Sequence, residues 1–510
     1  MNGTVPATPH RLRSATSGLR NVHCAASLPP TEQLLVGGGD TRIALVPGRE
    51  VNRYGCGVRP DPTLAAFGSS TASVISEAAY AAADTLRTTL AAELRHASPD
   101  AVYARETGRV RRELLQLCGL EGPAAPEVML APSGTDLHAV AGQWLADART
   151  LIIMVDPCET GRGVAAAMAT GTGAATVATI RLRDADGVPR PAAAVDTEVE
   201  DLATAAIATG RRVLVVMVDV SKTGLVAPSP ACVAALHGRL PQAVQVLVDG
   251  CQFRLAPATL RAYLDRGFLV ALTGSKFITG PSFAGALLVP RDAARRLAAQ
   301  LPAADHPLRL VRGDLPPHWN AAEHLPAATN FGLLLRWEAA LTQLHAFRAL
   351  PDAAVREFLA RFADAVRTRL DTDPVFMPVP VGPLERGLLA GGTGWDHIQT
   401  IFPFLLCRPS HGGHRRPLSH TESAAVFRLL SHSARSDTGV DVQSSLRCQL
   451  GQPVGCGTRD GVAVSALRLC ASARLVVEGA ADGGRQGAAV IARAMTALDK
   501  AARIAAGRIA

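Results

Sequence analysis

Two residues in the middle of the chain, Asp249 and Lys276, have types and a spacing that suit carbonyl chemistry. An apolar run, 244–248, stops at Asp249. A second, 268–272, leads through Thr273, Gly274 and Ser275 to Lys276, with a short helical pattern at 258–265 in between. This pattern predicts a strand–helix–strand unit whose parallel strands end side by side at one sheet edge. Open α/β sheets bind ligands at that edge, so Asp249 and Lys276 are expected to face one crevice. Such a pair suits pyridoxal phosphate. The lysine amine forms a Schiff base with the aldehyde, and the carboxylate keeps the pyridine nitrogen protonated so that the ring draws electrons. Gln252 is placed to reach the ring's 3-hydroxyl, and Thr273 and Ser275 to donate hydroxyls to the phosphate. Lys222 is the rival lysine. It lacks the arrangement in which such a carboxylate precedes the lysine by one unit, as Asp249 precedes Lys276.

Val-Asp-Gly-Cys-Gln at 248–252, followed by Thr-Gly-Ser-Lys-Phe-Ile-Thr-Gly-Pro at 273–281, resembles the class V aminotransferase and cysteine desulfurase group of fold-type I pyridoxal phosphate enzymes. The resemblance implies that Lys276 carries the cofactor, Asp249 pairs with the pyridine nitrogen and Gln252 contacts the 3-hydroxyl. Ser275 stands where that group usually has His, and a hydroxyl still donates to phosphate. Upstream, a short strand at 128–131 runs into Pro132-Ser133-Gly134-Thr135-Asp136 and a helix. Such a turn offers free N–H groups and a hydroxyl to an anion. Its place in the order matches the group's phosphate loop, which assigns Ser133, Gly134 and Thr135 to the phosphate.

The strand at 150–155 ends near Glu159-Thr160, where related desulfurases have Glu-His with the His stacked on the ring. Here the stack is lost, and Thr160 is expected to admit a bulkier or differently angled substrate. His138 reads as a packing residue. The strand at 212–218 ends at Asp219, and the resemblance sets Asp219 and Ser221 near the 3-hydroxyl or the substrate carboxylate. Ala328-Thr329-Asn330 resembles a loop that reaches across a dimer interface to the neighbour's phosphate, which points to Thr329. The segment 466–472 resembles a Val-Arg-x-Ser segment whose Arg grips the substrate α-carboxylate with its planar guanidinium. That residue is Arg468, with Arg474 the competing choice. Asn52 and Tyr54, in a turn-rich stretch, are substrate-contact candidates because such enzymes line their sites with N-terminal segments.

With 510 residues, 48% of them hydrophobic and 19% charged, the chain suits a globular protein of more than one domain. Its net charge is +8, yet only three of 52 basic residues are lysines, and the arginines are scattered among 44 acids with 4% aromatics. That pattern argues against a nucleic-acid surface. No apolar stretch approaches the roughly 20 residues of a membrane span. Ten cysteines without a Cys-x-x-Cys read as reduced, buried thiols of a cytoplasmic protein. His411 and His414 lack a Cys or acid at ligand spacing, so no metal is expected.

The expected class is α/β with a fold-type I architecture: a large domain around a mostly parallel seven-stranded sheet, plus a small C-terminal α+β domain. The expected parts are a disordered tail (1–33), an N-terminal segment and helix (34–100), the large cofactor-binding domain (101–330) and the small domain with its linking helix (331–510). Residues 1–31 also have the acid-free, Arg-containing composition of a transit peptide. A strand is expected at 34–46, an Ala-rich helix capped by Ser73 or Ser76, and a linker at 300–325. The resemblance implies a homodimer with active sites at the interface.

The first functional reading is an aminotransferase-like enzyme acting on an α-amino acid. The second keeps the cofactor but changes the reaction to β- or γ-elimination, replacement, decarboxylation or carbon–carbon bond formation. The third is a non-catalytic binding protein on the same scaffold. Cysteine desulfuration is not expected, because Leu450-Gly451-Gln452-Pro453 stands where one desulfurase subgroup has Cys-Ala-Gln-Pro. Cys448 and Cys456 flank it.

Overall fold

The structure is a computed structural model that describes residues 28–169, 175–300, 309–387, 394–409, 415–432 and 446–507. The expected tail lies outside them up to residue 27, as do His411 and His414. The strands in chain order are β1 (Leu64–Phe67), β2 (Glu127–Ala131), β3 (Thr150–Val155), β4 (Thr176–Ile180), β5 (Arg212–Asp219), β6 (Val226–Ala227) and β7 (Val244–Gly250). They continue with β8 (Leu269–Thr273), β9 (Gly285–Val289), β10 (Phe376–Pro378), β11 (Ile401–Pro409), β12 (Arg415–Pro417), β13 (Arg447–Arg459) and β14 (Val462–Cys470).

The larger sheet runs β2-β9-β8-β7-β5-β3-β4, with β6 paired to β5. The pairings β8–β7, β7–β5, β5–β3 and β3–β4 are parallel, and β9 is antiparallel to both neighbours. β3, β8 and β9 are buried at every position, as strands covered on both faces require. Alternate residues feed two cores: Ile152 and Met154 join one, Leu151, Ile153 and Val155 the other. Because β3, β5, β7 and β8 are parallel, the loops after them open at one edge.

The second sheet runs β1-β13-β14-β11-β10, with β12 on β11. β1 pairs in parallel with β13, Leu64 opposite Arg447, so an early segment completes a sheet of late strands. No described helix is long and apolar enough to cross a membrane, and no described group of three or more His, Cys, Asp or Glu is arranged to hold a metal.

Two expectations on local structure fail. The stretch 34–46 is not a strand: a helix, Thr31–Leu35, is followed by turns. Gly38 takes a φ of 67°, and Asp40 binds the Arg42 N–H at 2.8 Å, so the run is folded back before it can extend. The expected linker at 300–325 holds packed structure in its described part. Trp319 is buried against Trp144, ring centres 5.6 Å apart, and Asp314 accepts a 2.5 Å bond from Tyr103. Ser76, not Ser73, caps the helix Glu77–Glu93, its hydroxyl accepting the Ala79 N–H at 3.2 Å. The Ser73 hydroxyl donates instead to the carbonyl of Lys276 at 3.1 Å.

Lys500, on the last helix (Gly487–Ala505), is fully buried. Its ammonium donates to the carbonyls of Leu430 (3.1 Å), His432 (2.6 Å) and Leu446 (2.8 Å). Lys500→Met keeps the shape but strands these acceptors, and should lower stability by about 2–4 kcal/mol in urea denaturation followed by circular dichroism. A loss within experimental error would show that the three bonds are not what holds residues 430, 432 and 446 to the last helix.

Candidate active site

β3, β5 and β7 each bring an acid to the open edge, and the fold treats each acid differently. Glu159, after β3, is 2% exposed. It binds Arg183 Nε at 2.9 Å, the Ser221 hydroxyl at 2.7 Å and the Thr223 hydroxyl at 2.7 Å. Asp219, ending β5, is fully buried and gripped by Arg386 through Nε and Nη2, both at 2.7 Å, with Tyr263 donating at 2.6 Å. Asp249, in β7, has no arginine. Its Oδ2 accepts from Thr160 at 2.8 Å, and its Oδ1 from the Cys251 N–H at 3.2 Å. Burial pushes this carboxyl up, but the charges of His138 and Lys276 and these two hydrogen bonds outweigh it and hold it below its usual range.

Asp219 and Ser221 are therefore already engaged by neighbouring side chains. Both oxygens of Asp219 are taken by Arg386, and the Ser221 hydroxyl is spent on Glu159. They brace the loop after β5. The Thr160 hydroxyl is bound to Asp249, so this side chain is held against the carboxylate.

His138 does pack, at 1% exposed, but it does more. Its Nδ1 lies 2.7 Å from the Gly134 carbonyl, an acceptor, so this nitrogen carries a proton. Its Nε2 is buried without a hydrogen-bond partner, 3.6 Å from Asp249 Oδ2. A second proton there turns the contact into an ion pair. The helix pattern at 134–145 marked His138 as inward-facing, but nothing in it pointed to the carboxylate 111 residues later in the sequence.

Lys276 is half-buried, and its amine makes no hydrogen bond among the described residues. The loop that carries it is tightly seated: a Cβ on Gly274 would lie 2.5 Å from the Ala340 Cβ of the helix Phe331–Arg348. Gln252 Nε2 donates to the Ser70 carbonyl at 3.1 Å, leaving Oε1 buried and without a partner.

On the phosphate-loop side, a Cβ on Gly134 would meet Cys251 Sγ at 2.9 Å, so only glycine lets this helix start approach the strand ends. Ser133 caps the helix, binding Asp136 through both its N–H (3.2 Å) and carboxylate (2.6 Å). Arg42, missed in the sequence, reaches the Thr135 hydroxyl at 3.1 Å and the Ser133 hydroxyl at 3.4 Å while paired to Asp40. Thr273 is turned inward, donating to the Cys251 carbonyl at 2.6 Å. Ser275 is buried, and Thr329 is half-buried beside the Asn330 cap of the helix Phe331–Arg348.

Asn52 and Tyr54 are held in a turn. Asn52 Oδ1 accepts the N–H groups of Tyr54 and Cys56, and its amide reaches Ser282 only at 3.4 Å. Tyr54 packs on a small cluster of Cys56, Ala72 and Val74. Asn52 is thus largely engaged within its own turn, and Tyr54 is partly buried beside it.

Arg468, in β14, is 1% exposed. It donates to the carbonyls of Lys222 (3.2 Å) and Gln452 and to the Thr71 hydroxyl (3.0 Å), and its Nε has no partner. No acid among the described residues lies at ion-pairing distance, and burial draws its pKa down to about 10. Arg474 instead lines a cavity of about 460 Å³ with Ser69, Ser73, Thr279 and Ser472, whose lining does not include Lys276, Asp249 or Gln252. The segment 450–453 lies in β13, held between β1 and β14. Cys448 and Cys456 are buried, with burial pushing Cys448 up to about 11 and raising Cys456 too.

No protein-family model and no curated protein matches this sequence. Solved structures do. The cysteine desulfurase CsdA from Escherichia coli superposes with a TM-score of 0.51 at 16% identity, over 87% of this chain and 95% of that one. The cystine C-S lyase C-DES, in complex with its product cysteine persulfide, gives 0.50 at 15%, over 85% and 97%. A C-DES mutant with glycine covalently linked to its PLP cofactor gives 0.51 at 16%, over 86% and 99%. At these identities the likeness is one of architecture: the chain has the fold of the fold-type I pyridoxal phosphate enzymes.

Proposed function

We propose that this protein is a pyridoxal phosphate-dependent enzyme acting on an α-amino acid, aminotransferase-like in its chemistry. The observation that carries the reading is the contrast among the three acids. Glu159 and Asp219 are saturated by arginines, whereas Asp249 is left with a hydroxyl, one N–H and a histidine. A buried, ionised carboxylate of that kind fits a protonated pyridine nitrogen. Gln252 Oε1, buried without a partner, fits the 3-hydroxyl. The N–H groups at Ser133, Gly134 and Thr135, the hydroxyls of Thr135 and Ser275 and the nearby Arg42 suit a phosphate, whereas the Thr273 hydroxyl is spent on the Cys251 carbonyl. We leave Asp219, Ser221, Asn52 and Tyr54 out of the site for the reasons given above.

When bound, the cofactor supplies an electron sink for charge developing at the substrate α-carbon. The Lys276 amine holds the cofactor, then takes and returns the α-proton as general base and acid. Asp249, backed by His138 and steadied by Thr160, keeps the proton on the ring nitrogen. Arg468 holds the α-carboxylate and so fixes which bond stands toward Lys276. We further propose a homodimer in which Thr329 of a second copy completes the phosphate site, and a cytoplasmic location, in keeping with nine free described cysteines. A second reading, elimination or replacement on the same cofactor, is favoured by residue 160 being a threonine engaged with Asp249 rather than an aromatic.

The protein loaded with cofactor should absorb at about 410–430 nm, and borohydride should fix the cofactor to the peptide containing Lys276. Fixation to Lys222, or no band, would refute the assignment. Arg468→Ala should keep the band and weaken amino-acid binding by about 2–5 kcal/mol, the scale for truncating one member of a buried charge pair. If Arg474→Ala does this instead, the carboxylate site lies elsewhere. With L-cysteine and a thiol reductant, mass spectrometry should find no persulfide on Cys448 or Cys456, and sulfide should not accumulate catalytically. Turnover through either cysteine would restore desulfuration.

A further inference from the structure

Asp249 and the cofactor answer Lys276 in the reading above, but two further cations, Arg468 and Lys222, stand at the same edge. Arg468 is buried with its charge unpaired; the two carbonyls and one hydroxyl around it satisfy N–H groups but cancel no charge. The residue whose carbonyl it grips is Lys222, on the loop after β5. The Lys222 amine donates to the Pro157 carbonyl at 2.9 Å, beside Thr160, and makes no other described hydrogen bond. An ammonium has three donors, so two remain for a ligand. The groups that press on it come from each neighbouring loop: Arg468 from β14, Lys276 from the loop after β8, and Arg162, Cys158 and Glu159 from the loop after β3. The one carboxylate among them, Glu159, is already bound by Arg183, Ser221 and Thr223.

We infer that the substrate carries a second anion, a side-chain carboxylate, and that Lys222 is the residue that recognises it. The inference rests on the amino-acid reading of the site given above. A zwitterionic substrate with a neutral side chain brings one carboxylate, which Arg468 takes. It leaves the two remaining donors of the half-buried Lys222 amine without an anion. A dicarboxylic amino acid answers both charges, and the 3.2 Å bond from Arg468 to the Lys222 backbone carbonyl keeps the two residues adjacent.

Burial, Arg468, Lys276 and Arg162 draw the Lys222 pKa down to about 8. The amine is therefore charged below that pH and neutral above it. A bound anion raises the value, so the preference for acidic ligands is present at pH 7 and fades as pH rises past 8.

The test uses cofactor-loaded protein and isosteric pairs, L-aspartate against L-asparagine and L-glutamate against L-glutamine, titrated by cofactor absorbance. The wild type should bind the better acid at least about tenfold more tightly than its amide, the low end for a desolvated charge pair. Lys222→Gln should bring that pair to near parity, and Lys222→Arg should retain the preference. A readout independent of chemistry is thermal melting: succinate should raise the melting temperature more than propionate in the wild type, but not in Lys222→Gln. Retention of the absorbance band and circular dichroism spectrum shows that the variant is folded. Equal binding within each pair by the wild type, or a preference untouched by Lys222→Gln, overturns the inference and leaves the amino-acid reading standing. No response to any amino acid overturns both.

Discussion

An ionised group buried at the end of a strand has to be answered from elsewhere in the fold, because its charge cannot be left in a low-dielectric interior alone. In this protein the answer is also what ties the parts together. Arg183 meets Glu159 and also donates to the Pro380 carbonyl at 3.0 Å. Arg386 meets Asp219 and donates to the Asp396 carbonyl at 2.7 Å. Asp396 in turn accepts from the Ala256 N–H and the Thr259 hydroxyl. Both arginines thus join the strand ends of the larger sheet to the connection between β10 and β11 of the smaller one. Asp249 stands outside this bracing, and its lighter set of partners makes it chemically available.

Buried arginines without acids play a second part. Arg336, fully buried, donates to the carbonyls of Phe283 and Gly37, both at 2.6 Å, and so binds the end of the Lys276 loop to the turn near the N-terminal helix. Arg254 bonds the Thr400 hydroxyl (2.7 Å), the Ala471 carbonyl (3.0 Å) and the Ser69 hydroxyl (3.0 Å), and its guanidinium lies 5.0 Å from the Phe277 ring centre. A guanidinium suits this work because its donors are fixed in a plane and several backbone carbonyls can be met at once. Burial draws Arg336 down to about 9 and Arg254 to about 10.

The larger sheet was legible because its strands are nearly continuous apolar runs bounded by turn residues, and a parallel unit forces adjacent strand ends to share an edge. Asp249 and Lys276 follow from that rule alone. Which acid at that edge is available did not follow. Asp219 and Asp249 end neighbouring strands in much the same way, and what separates them is Arg386, 167 residues from Asp219. The same holds for Arg42, which nothing nearby in sequence distinguishes from other arginines, and for β1, whose partner β13 lies in the last quarter of the chain. The misread strand at 34–46 has a local cause: apolar residues flank three glycines and an aspartate, and turn chemistry there overrides β propensity.

The chain's scarcity of lysine takes on a different meaning once the three are located. Lys500 is sealed under three carbonyls, while Lys222 and Lys276 are half-buried at one sheet edge. The outer surface draws its positive charge from arginine and presents no freely solvated side-chain amine. Aldehydes, activated esters and enzymes that acylate or conjugate lysines therefore have few places to react, and those few converge on one crevice. Glycation or acylation, damage that most proteins spread harmlessly over many exposed amines, would here fall on the two lysines at that sheet edge, one of them the residue proposed to hold the cofactor.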